Sequence, residues 1–123
     1  MSVIITTFGV LHRDEPSASR PIRVDLTTAL RNPADDPALI ELTGLDARVR
    51  DHVMTTPGAD MIRDQALTDI EEKLGDGDVD VLVYCRGGRH RSVAMGEELL
   101  DALAARGVAV RVVHRDVEKP VVR

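Results

Sequence analysis

At 123 residues, 43% hydrophobic and 30% charged, the chain has the size and composition of one globular unit, read as a single domain over residues 1–123. Its net charge of −5 sets the overall field against nucleic acid and anionic membranes. With no Trp, one Phe (Phe8) and one Tyr (Tyr84), it lacks the aromatic platform that a reader of single-stranded bases needs. The lone cysteine, Cys85, cannot close an intrachain disulfide, and neither a signal sequence nor a membrane span is legible, so a reducing, cytoplasmic setting is expected.

Ser2 to Phe8 is β-branched and apolar and reads as a first strand, with Gly9 marking its end. His12 to Pro21 is polar and holds Pro16 and Pro21, the composition of a surface loop. Ile22 to Leu26 is a second short strand, with Asp25 near its C-terminal end. Thr27 to Leu42 carries the turn signals Asn32-Pro33 and Asp36-Pro37 and is expected to be irregular, a long connection of the kind that often serves function. Asp46 can cap a helix over Ala47 to Met54, on which Val49 and Val53 share a side. Thr56-Pro57 opens a second helix, with Ile62, Ala66, Ile70 and Leu74 at four-residue spacing, and Gly75 to Asp78 stops it.

Val79 to Cys85 is an apolar strand, Arg86 to Ser92 a loop rich in Gly and Arg, and Val93 to about Arg106 an amphipathic helix ended by Gly107. Val108 to Val113 is the last strand. The acidic residues between Asp69 and Asp80 read as a solvated helix face and turn. Met54, Met61 and Met95 sit at helical positions suited to core filling, and His12 and His52 read as exposed. The histidines show no ligand spacing, so neither a metal nor a cofactor is expected.

This order of elements is that of an α/β domain, expected as three layers around a mostly parallel sheet of about four strands. The strands flanking helix 93–106 are expected to be parallel neighbours joined by a right-handed crossover. Ligands of open α/β sheets sit beyond the C-terminal strand ends, which gathers Gly9, Asp25, Cys85 to Ser92 and His114-Arg115 along one edge.

Two chemistries fit the central loop. Cys85 and Arg91 are separated by five residues and followed by Ser92, a spacing that resembles the signature loop of cysteine-dependent phosphatases. There a thiolate attacks phosphorus, a guanidinium clamps its oxygens and a hydroxyl eases departure. Asp25, Asp35, Asp36 and Asp116 are candidate proton donors by position and none stands out, while Cys85 reads more readily as a small apolar residue closing a buried strand. The second chemistry needs no nucleophile. Gly87 and Gly88 let a phosphate approach the backbone, Arg89, His90 and Arg91 supply charge, and Ser92 caps the helix. Close like charges repel unless an anion binds among them.

The block Cys85-Arg-Gly-Gly-Arg-His-Arg-Ser-Val93 resembles the Cys-x-Gly-Gly-x-His-Arg-Ser-Val block of the RapZ C-terminal domain, from a family of bacterial RNase adaptor and nucleotide-binding proteins. Phe8-Gly9, Asp25, Asn32-Pro33, Asp36-Pro37-x-Leu39, Thr43-Gly44-Leu45-Asp46, His114-Arg115 and Glu118-Lys119 follow in the family's order across nearly the whole chain. The resemblance implies a fold similar to the phosphosugar-binding half of phosphofructokinase-type enzymes. It also implies a regulatory site for glucosamine-6-phosphate or a similar sugar phosphate, without chemistry. Carried over by motif, phosphate lies on Gly87, Gly88, Arg89, His90, Arg91 and Ser92; Asp25 and Asn32 face the sugar, and His114 and Arg115 form the rim. Self-association and small-RNA binding are implied for the full-length protein. The family's kinase-like N-terminal domain has no counterpart in this sequence, so nucleotide hydrolysis is not expected. The near-neutral stretch Asp116 to Arg123 replaces the family's basic tail, and with the net charge it argues against RNA.

Overall fold

Each apolar, β-branched segment packs at least one of its two faces against the core, and the segments do so together. β1 (Ser2–Gly9), β2 (Ile22–Asp25), β3 (Val79–Cys85) and β4 (Ala109–His114) form one sheet in the order β2-β3-β1-β4, parallel throughout. The computed structural model, which describes residues 1–31 and 36–120, adds the helices α1 (Ala47–Met54), α2 (Ala59–Leu74) and α3 (Arg91–Ala105). The α/β architecture read from the sequence is therefore the one observed.

One expected pairing differs. β3 and β4 are parallel, but β1 lies between them, with Ile5 opposite Val81 on one side and Val112 on the other. β1 buries Val3 and Ile5 on one face and Phe8 on the other, as a central strand must, whereas β4 has no fully buried residue and takes the edge. A helix about 10 Å across spans two strands spaced about 4.8 Å apart, so α3 crosses over β1 without strain.

The direction of travel explains the layers. The chain moves from β2 to β3 and from β3 to β4 in the same sense across the sheet, and right-handed crossovers put both connections on one face. There Val79, Val81, Val83 and Cys85 pack with Ala66, Leu67 and Ile70 of α2 and with Met95, Leu99 and Leu103 of α3. The step from β1 to β2 runs the other way, so the opposite layer is its connection and not a helix. That connection begins with a 3-10 turn at Val10–His12. Glu15–Arg23 (2.5 Å) and Asp14–Arg115 (2.7 Å) pin it beside Phe8 and Tyr84, whose ring centroids are 5.1 Å apart.

A smaller core of Leu39, Val49, Val53 and Ala94 docks α1 and the segment before it onto the start of α3. Asp46 caps α1, accepting from the Arg48 N–H at 2.9 Å. Met61, expected in the core, is 77% exposed, because the buried stripe of α2 runs through Ala59, Ala66, Leu67 and Ile70 and leaves it at the side.

Candidate functional site

β3 delivers Cys85 to the C-terminal edge of the sheet, and the chain turns there directly into α3. The helix begins at Arg91, earlier than its apolar periodicity suggested, so His90 is the N-cap and Ser92 lies inside the first turn. Ser92 therefore does not cap; its hydroxyl is fully buried and hydrogen-bonds the Cys85 sulfur at 3.3 Å. Among the described residues, no side chain caps this helix. Its first N–H groups and the positive end of its dipole are left facing the loop.

Arg89, His90 and Arg91 do different things at the turn. Arg89 reaches over the loop and donates to the carbonyls of Glu41, Leu42 (3.1 Å) and Lys119 (3.1 Å), which makes it a staple between distant segments. His90 is buried and its Nε2–H donates to the Ile40 carbonyl at 3.1 Å. Burial holds His90 below the ordinary imidazole value and the Arg89 and Arg91 charges add to that, against the carbonyls of Ile40 and Leu42. Arg91 is 5% exposed. Among the described residues its hydrogen bonds run from Nη1 to the carbonyls of Ala29 (3.2 Å) and Thr27 (3.4 Å), and its buried Nε has no partner. A buried guanidinium facing only carbonyl dipoles is an incomplete arrangement.

Both glycines of the loop matter, for unlike reasons. Gly88 has φ +73°, and an added Cβ would strike Gly9 N and come within 2.9 Å of Asp116 Cβ. Its backbone presses on the end of β1, and its N–H donates to Cys85 Sγ at 3.2 Å. Gly87 is the open one: an added Cβ there meets nothing within 4 Å. Cys85 itself is 2% exposed and part of the main core, with its sulfur under the loop.

The outlying residues divide. Asp25 accepts from the Thr27 N–H (2.8 Å) and hydroxyl (2.6 Å), so it shapes the turn whose carbonyls hold Arg91. Asn32 lies outside the described residues, as do Pro33 and Asp35. His114 does not face the loop. It turns under α3, its Nδ1 2.7 Å from Thr7 Oγ1 and its Nε2 3.2 Å from Glu97 Oε2. Arg115 pairs with Asp14 instead. In a parallel strand alternate residues point to opposite faces, and that parity carries His114 to the helical side.

Three residues take roles that the sequence did not show. Buried Asp116 accepts from the Gly9 N–H at 2.7 Å and pairs with Lys119 at 2.5 Å, holding the end of β1 against the loop. Gly44 lies on the start of α3, where a Cβ would come within 2.5 Å of Ala94 N and the His90 carbonyl, and its N–H donates to the Arg89 carbonyl at 2.9 Å. The Gly signal was legible, its partner was not. His12 is half-buried, and its Nε2–H donates to the Gly87 carbonyl at 3.1 Å. Among the described residues no cluster of His, Cys, Asp and Glu could hold a metal ion, and no helix is long and apolar enough to cross a membrane.

Comparison with known proteins places the chain in a family. The model of the RapZ C-terminal domain matches residues 1–118. A nucleotide-binding protein of Parafrankia sp. (strain EAN1pec) is 44% identical over 107 residues, covering 79% of this chain and 37% of that protein. Similar proteins so named occur in Streptomyces coelicolor (41% identical, 79% and 36% covered) and Thermus thermophilus (41%, 80% and 39%). The chain thus spans under two-fifths of the length of these relatives. It belongs to the RapZ C-terminal domain family.

Proposed function

We propose that the chain is a regulatory binding domain for a small phosphorylated metabolite, a sugar phosphate such as glucosamine-6-phosphate, seated at the β3–α3 junction. The observation that carries this is Arg91: buried, bonded only to carbonyls among the described residues, and with one donor free. In this reading the open side of Gly87, the uncapped start of α3 and the Arg91 guanidinium would each contribute to holding one small anion. Arg89 and His90 brace the loop, and Asp25 shapes the turn whose carbonyls hold Arg91. The relatives' name, nucleotide-binding protein, is consistent with a phosphorylated ligand. Titration calorimetry with inorganic phosphate, glucosamine-6-phosphate and glucose-6-phosphate tests it. Binding is expected for wild type and is lost in Arg91→Ala; no heat from any of them, or heat unchanged in the variant, refutes the reading.

A phosphatase reading draws on one observation, the Gly88 N–H and Ser92 hydroxyl that would both support a Cys85 thiolate. Against it, Cys85 is 2% exposed and packs within the main core. Turnover of an aryl phosphate by wild type, abolished in Cys85→Ser, would reverse this preference. RNA binding is disfavoured by the charge of −5, and a gel shift at low salt would reveal it.

A further inference from the structure

Away from the junction, a groove of about 400 Å³ runs along β2 between that strand and α2. Ile22 and Val24 of the strand and Ile62 and Ala66 of the helix make it apolar, and the exposed Met61 stands at its lip. Among the described residues β2 is an edge strand, paired with β3 alone. The Leu26 N–H donates to the Tyr84 carbonyl at 2.7 Å. In a parallel ladder the N–H and C=O of a residue share a side and alternate along the strand. The main chain of Val24 therefore turns to β3, and that of Arg23 and Asp25 turns to the open edge.

The edge is bounded. At one end Lys73 Nζ donates to the Arg20 carbonyl; at the other the Asp25–Thr27 turn closes it. About 13 Å of open ladder lies between, the length of a short strand. The charged lining is one-sided: Arg23 is matched by Glu15, while Asp25 and Asp69 have no cationic partner among the described residues.

We infer that this edge docks an extended peptide segment of a partner protein, added beside β2 as a further strand. Alternate apolar side chains enter the groove and a lysine or arginine at each end meets Asp25 and Asp69. A short synthetic peptide of alternating valine and threonine, with lysine at both ends, is the probe. Titration followed by NMR is expected to show saturable binding and slowed amide exchange at Arg23 and Asp25. N-methylation of the peptide at the residues facing β2 removes the ladder donors and is expected to weaken binding about tenfold, the equivalent of one or two hydrogen bonds. Asp69→Lys, and separately Met61→Lys, are expected to weaken it similarly while the thermal midpoint holds.

No binding overturns the inference, as does binding without protection at Arg23 and Asp25, or equal binding of the N-methylated or a glutamate-flanked peptide. Protection of those amides in the free protein, rising with concentration alongside a dimer in sedimentation, assigns the edge to a second copy and overturns it too.

Discussion

The two halves of the sheet's C-terminal edge both bury charge, and they treat it differently. Over β1 and β4, Asp116 takes the Gly9 N–H and Lys119, Arg115 takes Asp14, and His114 bridges Thr7 and Glu97. Over β2 and β3, Arg91 is about as buried as Asp116, 5% against 3% exposed, yet among the described residues it meets only carbonyls and its Nε has no partner. Taking an ion out of water costs several kcal/mol unless a partner offsets it. The first half is self-sufficient scaffold. The second is the half we propose an anion completes, and charge density alone would not have separated them.

The sharpest way to break this division is at the glycines. Gly88→Ala puts a Cβ into Gly9 N at a left-handed φ of +73°, and is expected to cost about 3 kcal/mol or more in urea unfolding. Gly87→Ala, in open space, is expected to stay within about 0.5 kcal/mol of wild type while weakening phosphate binding. Equal stability of the two variants would mean that the loop does not press on β1.

Asp116→Ala strands the buried Gly9 N–H and is expected to cost about 2 kcal/mol, with binding impaired only as far as the loop loosens. Arg89→Ala removes three donors to carbonyls and is expected to cost about 1–2 kcal/mol while keeping a phosphate-induced thermal shift. Abolished binding in Arg89→Ala at unchanged stability would erase the distinction between the two arginines.

The pH dependence follows from His90. Its folded value lies below the ordinary 6.5, chiefly through burial, so the unfolded chain takes up the proton first as pH falls. Its contribution is flat above about 6.5 and turns destabilising below that. Urea midpoints measured across this range should decline toward acid, and His90→Gln should decline less. A slope identical in the variant would show that other groups cause it. Asp25→Ala is expected to have the smallest effect, about 0.5–1 kcal/mol from the exposed turn, with a modest loss of phosphate affinity because the Thr27 carbonyl is less well held.

Much of this fold is legible in the amino-acid sequence. Alternation and four-residue spacing locate β1, β3 and both longer helices, because each segment reports its own burial through side-chain period. Asp46 announces the start of α1 because capping is a local hydrogen bond. The order β2-β3-β1-β4 is not legible, since which strand sits centrally depends on burial of both its faces, a property shared with its neighbours. Position along the chain puts His114 at the site edge, whereas its direction is set by strand parity and by Thr7 and Glu97, remote in sequence.

The opposed fates of Arg89 and Arg91 mark the boundary most clearly. By itself the sequence determined that a strand ends, a glycine turn follows and a helix begins amid cationic side chains, because these are features of adjacent residues. Only the tertiary structure decided which guanidinium braces the loop and which keeps a buried Nε without a partner among the described residues. Arg89 and Arg91 are chemically the same two positions apart, and what each meets comes from elsewhere: residues 41, 42 and 119 for one, residues 27 and 29 for the other. Hydrogen-bond partners separated by tens of residues leave no local periodicity to read.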